Sequence, residues 1–251
     1  MKIKALEFLG LPGSGKTFLY NSLIKKLRYE NISFTTYKES FIQNLYNKQK
    51  GLNKIFFYLY LLYEKNYQLK SNYLFLSQYR FIISNIIKKK EQSFSLRLID
   101  NIYSYYINCS NYSLERKERM TTTLLIDLIG SERKKIPFFQ DEGFLQRVFL
   151  NFSNINEKIF SSKLNLYLNS INLPSHIVYV KTPYKTCFQR VHARHYGFVY
   201  SYKNDIHYLK SKKTFEKKII KFLKKKRVKI IIVNGENNLE YNTNHLLKKM
   251  I

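Results

Sequence analysis

The stretch Gly10-Leu11-Pro12-Gly13-Ser14-Gly15-Lys16-Thr17 constrains the fold more than any other part of the chain. It fits the phosphate-binding pattern G-x-x-x-x-G-K-[ST] at every fixed position, a pattern that works between a buried strand and the start of a helix. Both flanks are legible. Residues 3–9 read as a buried strand, and Phe18, Leu19, Leu23, Ile24 and Leu27 recur at helical spacing. Glycines at 10, 13 and 15 let the backbone turn tightly and aim several N–H groups at one point, to which the helix start adds its positive end. Polyphosphate is the natural ligand of such a loop. Gly10, Gly13, Ser14, Gly15, Lys16 and Thr17 would line it, Lys16 reaching the β- and γ-phosphate oxygens and the Thr17 hydroxyl ligating Mg²⁺.

The rest of the chain supplies the sheet that such a loop needs. Residues 32–36 alternate and run into Tyr37-Lys38-Glu39, which predicts a second strand delivering a carboxylate to the edge where open α/β sheets bind ligands. From 41 to about 130 apolar residues recur at three and four, as in Leu59, Leu62, Leu69, Tyr73 and Leu76, which predicts a large helical insert. Two segments then compete for the Asp-bearing strand beside the first: Leu124-Leu125-Ile126-Asp127 and Ile136-Pro137-Phe138-Phe139-Gln140-Asp141. Leu114, Met120, Leu124, Leu125 and Leu128 share one helical stripe, with Ser113 as N-cap and Gly130 beyond the end, so the second segment is read as the strand and Asp141 as the metal-side carboxylate. Gln140 is a polar neighbour in a buried strand, and Asp127 therefore stays open as the alternative.

Residues 176–180 and 229–233 read as the fourth and fifth strands. Between them Thr182-Pro183 predicts a helix start, a hydroxyl cap followed by Pro at the first position. That helix carries Arg190 and Arg194 on one face, and a basic helical stretch covers 203–227. Strands alternating with helices behind a leading phosphate loop predict a three-layer α/β/α fold on a five-stranded parallel sheet, one domain over 1–251.

Lys+Arg 44 against Asp+Glu 17 gives a formal net charge of +27, which would attract polyanions. The excess is mostly lysine and comes with abundant Asn, Ile, Tyr and Phe, as AT-rich coding would produce, so a nucleic-acid partner is the secondary expectation. Cys109 and Cys187 have no metal-ligand or C-x-x-C spacing and read as reduced core thiols; no His spacing suits a metal. The longest apolar run, 55–63, falls short of the roughly 20 residues of a spanning helix, and no apolar signal region opens the chain, so a cytoplasmic protein is expected.

GLPGSGKT, Asp141-Glu142-Gly143 followed by Gln146-Arg147, and the run VYVKTPYKTCFQRVHAR over 178–194 resemble the nucleoside and nucleotide kinases among P-loop phosphotransferases. The resemblance implies ATP and Mg²⁺ as cofactors and a small-molecule acceptor. It further implies a lid at about 184–205 whose Arg190 and Arg194 close over the phosphates, with Thr17 and Asp141 on the metal. Glu142 or Glu39 would accept the proton of a substrate hydroxyl, Glu39 matching the second-strand acid of deoxynucleoside kinases by position. Where those kinases carry an acidic residue followed by Arg, this chain has Asp-Glu-Gly with Arg147 a turn later, so the acceptor is open between a nucleoside or nucleotide and a sugar-type hydroxyl. Asp127-Leu128-Ile129-Gly130 fits D-x-x-G, but no N-K-x-D follows, which argues against a GTPase. The runner-up from another class is a P-loop ATPase switch binding an anionic partner, with a polynucleotide-end kinase between the two.

Overall fold

The structure is a computed structural model that describes residues 3–36, 39–40, 43, 51, 137–141, 143–146, 164–165, 167–169, 171, 173–193 and 206–250. The chain divides into two compact units, Met1–Thr35 with Lys134–Ile251, and Thr36–Arg133. The second coincides closely with the stretch expected as an insert.

The first unit is built on strands β1 (Ala5–Leu9), β3 (Phe138–Gln140), β4 (His176–Lys181) and β5 (Lys229–Asn234), with the short β2 (Thr35–Thr36) at one edge. Their order is β2-β3-β1-β4-β5 in a five-stranded parallel sheet. Helix α1 (Lys16–Tyr29) follows β1, α2 (Tyr184–Ala193) follows β4, α3 (Ile206–Lys225) precedes β5, and α4 (Leu239–Met250) closes the unit. β1 is central, paired to β3 through Ala5↔Phe138 and to β4 through Leu6↔His176. The chain leaves β1 toward the β3 side and later crosses to the β4 side, so a crevice opens at the C-terminal end of β1, where open α/β sheets bind ligands.

Strand alternation sets the layers. Leu6 and Phe8 of β1, Val178 and Val180 of β4, and Ile231 and Val233 of β5 face Leu19, Leu23 and Leu27 of α1 and Leu246 and Met250 of α4 in one core. On the opposite face Leu11, Cys187 and Leu209 pack together, and Tyr179 of β4 meets Glu216 of α3. β4 is buried on both faces from His176 to Val180, as a central parallel strand must be, whereas β5 at the edge alternates between buried and open positions. Lys26 and Arg28 in the last turn of α1 complement its dipole, and Asn31 takes φ +55° just beyond it, a conformation Asn tolerates better than most residues.

The expected three-layer α/β/α architecture is thus present, and β3 comes from the second of the two competing segments. Pro137 precedes β3, where its missing N–H costs nothing, and its carbonyl accepts from Thr35 N at 2.8 Å. Asp127 lies outside the described residues. The second strand departs from expectation: it ends at Thr36, and Glu39 and Ser40 are helical. Thr36 and Glu39 form a reciprocal capping box, Thr36 N and Oγ1 donating to Glu39 Oε2 at 2.7 and 2.8 Å while Glu39 N donates to Thr36 Oγ1 at 3.3 Å. The spacing T-x-x-E encodes a helix start there rather than a longer strand.

Candidate active site

The loop between β1 and α1 owes its shape to two left-handed glycines, Gly13 at φ +81° and Gly15 at φ +96°, the latter serving as N-cap of α1. Gly13 is also a point of close approach, for a methyl group there would overlap the carbonyl oxygen of Cys187 and sit 2.9 Å from Val191 Cγ2. The loop therefore rests directly on α2. Ser14 N donates to the Leu11 carbonyl at 3.0 Å, and Lys16, almost wholly buried, turns its Nζ back to the same oxygen at 3.2 Å. Ser14 Oγ is buried without a hydrogen-bond partner among the described residues. Thr17, one residue into α1, is exposed, so its hydroxyl is open to a ligand.

Helix α2 braces this loop on one side and the β5–α4 turn on the other. Thr182-Pro183 stands at the start of α2 as expected, and Thr182 Oγ1 also donates to Ser14 O at 3.0 Å, tying that helix start to the loop. Arg190 Nη1 donates to Gly235 O at 3.0 Å and lies 3.8 Å from where a Cβ on Gly15 would be. Sequence reading put Arg190 on a lid; here it bridges the P-loop and the β5–α4 turn. Arg194 lies outside the described residues. Beside Arg190 is a cavity of about 390 Å³, lined among others by Ser14, Gly15, Phe18, Arg190, Gly235 and Asn237. The turn below it is fixed by Gly235 N donating to Lys181 O at 3.0 Å and Asn242 Nδ2 donating to Asn234 O at 2.8 Å.

The carboxylates separate by what already engages them. Asp141 directly follows β3, which runs parallel with β1, so it emerges at the same edge of the sheet as the P-loop. Glu142 lies outside the described residues, and Glu39, in the second unit, is occupied by its capping box. Sequence reading missed Glu7. This residue is only 2% exposed in the middle of β1, and its Oε1 accepts from Leu145 N at 2.8 Å and Gln146 N at 3.1 Å. Gln146 Oε1 in turn accepts from Gly10 N at 3.3 Å. Glu7 pairs in register with Gln140, which explains the polar residue in β3: the two sit side by side on one face of the sheet. A charge inside the otherwise apolar 5–9 run, matched by a polar residue in the neighbouring strand, was the available signal.

Behind the loop the α2–α3 face is held in its neutral or paired form. Burial, and then the carboxylate of Glu216, push the Cys187 thiol up to about 11, and the same two causes in the same order raise Tyr179, whose hydroxyl donates to Glu216 Oε2 at 2.8 Å. Lys213 completes the group by pairing with Glu216. Cys187 is a buried free thiol, and Cys109 lies outside the described residues. Among the described residues no group of three or more His, Cys, Asp and Glu could hold a metal by itself, and no helix is long and apolar enough to cross a membrane.

No protein-family model matches the chain, and no curated protein matches it in sequence. Solved structures do. A deoxyadenosine kinase from M. mycoides with bound dCTP is 13% identical over 98% of this chain and 98% of that chain, with a TM-score of 0.47. The same kinase with the products dCMP and a flexible dCDP matches at 13% identity and TM-score 0.48, covering 98% and 97% of the two chains. With bound dATP it matches at 12% and 0.43, covering 98% of each.

Proposed function

We propose that this protein is a P-loop kinase that moves the γ-phosphoryl group of ATP to a small hydroxyl or phosphate acceptor, with a nucleoside or nucleotide as the acceptor class. The observation that carries the reading is the conjunction of a formed phosphate loop with an adjoining 390 Å³ cavity, within the range of small-ligand sites and beside an Arg guanidinium. Phosphates would occupy the nest of amides at Gly13 to Lys16, and the base would enter the cavity between Phe18, Arg190 and the β5–α4 turn. Lys16 would release the Leu11 carbonyl and take up phosphate oxygens, exchanging a neutral acceptor for a charged one.

Mg²⁺ is a hard cation that takes oxygen ligands, and an exposed Thr17 hydroxyl with Asp141 at the same sheet edge is a fitting donor set. When bound, it neutralises charge on the transferring phosphates. Phosphoryl transfer is catalysed chiefly by positioning and electrostatic stabilisation. Arg190, fixed by Gly235 O, is preorganised for the nucleotide, and Arg194 is assigned to the charge that develops during transfer. Glu142 is the better candidate for the proton acceptor, because Glu39 already accepts two hydrogen bonds from Thr36. The nucleoside assignment of the acceptor rests on the resemblance carried by GLPGSGKT and by the run over 178–194.

The test is incubation of the protein with ATP, Mg²⁺ and a pooled library of nucleosides, nucleotides and sugars, followed by mass spectrometry for phosphorylated products. Lys16→Ala should abolish turnover while the fold, read by circular dichroism, is retained. Turnover undiminished in that variant would refute the reading. A second reading, an ATP-driven protein that grips a polyanion, is favoured by α3, whose exposed Lys210, Lys217, Lys221 and Lys224 recur at helical spacing on one face.

A further inference from the structure

Burying a carboxylate in a central strand is costly unless its oxygens are satisfied, and an apolar residue would fill the same place at less expense. Glu7 must therefore be understood from what it holds. Its Oε1 receives the backbone N–H groups of Leu145 and Gln146, which start the helical turn immediately after Asp141-Glu142-Gly143. Its Cδ and Oε2 lie 2.5 and 2.7 Å from where a Cβ on Gly143 would be, and the Gln140 amide oxygen lies 2.6 Å from it, so a side chain at 143 would push the Glu7 carboxylate and the Gln140 amide out of place. From there the side chain of Gln146 returns to β1 and accepts the N–H of Gly10, the first residue of the phosphate loop. Glu7 itself is three residues upstream, roughly 10 Å along an extended strand from Gly10, and so acts on the loop through Gln146.

We infer that Glu7 is a positioning residue that locks the acidic turn after β3 and the root of the phosphate loop into one geometry, through the relay Glu7–Gln146–Gly10. The inference rests on the nucleotide-binding reading proposed above. A relay makes a specific demand: breaking either link should have the same consequence for nucleotide binding, and breaking both should add little. Two independent packing contributions would multiply instead.

The experiment uses the full chain as wild type, Glu7→Met, Gln146→Met and the double variant, both substitutions removing the acceptor oxygen at roughly unchanged side-chain length. A fluorescent ATP analogue titrated with Mg²⁺ present gives affinity, and near-ultraviolet circular dichroism reports the fold. Each single variant should bind about five- to tenfold more weakly, the loss of one hydrogen bond's worth of positioning, and the double variant should lie within about twofold of the weaker single one. Unchanged affinity in the single variants, or losses that multiply to about 25-fold or more, would overturn the relay. If Glu7→Met does not fold, Gln146→Met alone decides, unchanged affinity counting against the relay and a five- to tenfold loss for it. Wild-type protein that binds no ATP analogue would overturn the nucleotide reading and the relay together, whereas binding indifferent to both substitutions overturns the relay alone.

Discussion

Replacing Gly13 by Ala tests the architecture of the site most directly, because two separable penalties meet there. The first is backbone strain: at φ +81° an L-residue with a Cβ costs about 1–2 kcal/mol. The second is overlap. The new methyl would collide with the Cys187 carbonyl and stand 2.9 Å from Val191 Cγ2, where carbon atoms rest at about 3.5–4.0 Å, so the loop and α2 must part by about 1 Å. Both neighbours belong to a packed helix and cannot swing aside, and overpacking of this kind costs about 1–3 kcal/mol. Gly15→Ala is the control within the same loop, for at φ +96° it carries the strain but meets only Arg190 Nη1 at 3.8 Å, an ordinary contact. Thermal unfolding without nucleotide should therefore place Gly13→Ala below Gly15→Ala by about 1–3 kcal/mol, a further drop of roughly 2–12 °C at about 2–4 °C per kcal/mol. Equal unfolding temperatures for the two variants would refute the claim that the loop is seated on α2.

Asp141→Asn should weaken Mg²⁺-dependent turnover far more than Asp127→Asn, because Asp141 directly follows β3 at the P-loop edge of the sheet; activity of both across a Mg²⁺ titration checks this, and the reverse order would move the metal-side role to Asp127. The Cys187 thiol should resist iodoacetamide in the folded protein at pH 8 and react on unfolding, read by mass of its own peptide. Since the folded protein holds that proton up to about 11 against 9.0 for an ordinary thiol, the residue's contribution to stability is intact below pH 9 and is lost as pH rises toward 11. ATP turnover should depend only shallowly on salt, because one nucleotide is held by preorganised amides, Lys16 and metal; a polymer held by six to ten phosphate contacts would instead lose roughly three to five decades of affinity between about 50 and 200 mM salt. Tight nucleic-acid binding near physiological salt with no phosphorylated product would favour the polyanion reading.

Most of the sheet and the phosphate loop was legible because both are written in local terms. Glycine positions, an apolar run before and a helical stripe after fix the β1–loop–α1 unit without reference to the rest of the chain. The choice between 124–127 and 136–141 for β3 was also decided locally, by a helical stripe in one and its absence in the other. Long-range partners were not legible. Thr182-Pro183 marks the start of α2 as read, but nothing local shows that the Thr182 hydroxyl also donates to a carbonyl 168 residues away, at Ser14. Arg190 reads as a lid arginine, and nothing in the sequence shows its hydrogen bond to Gly235 O.

Carboxylates are where sequence and structure diverge most, and one physical cause covers both cases. A charged oxygen is a strong acceptor, and the backbone offers unsatisfied N–H groups wherever a helix begins. Glu39 sits three residues after Thr36 and is drawn into capping its own helix start, at a position where only strand alternation had been considered. Glu7 is drawn to the N–H groups of Leu145 and Gln146, more than a hundred residues away, and so a charge that looks misplaced in an apolar strand becomes affordable to bury. Assigning a catalytic carboxylate from sequence therefore requires asking first which helix start could claim it. Asp141 follows a strand and precedes Gly143, and the N–H groups of the next helical turn are already taken by Glu7. On this argument the buried charge of Glu7 claims the helix start nearest to Asp141.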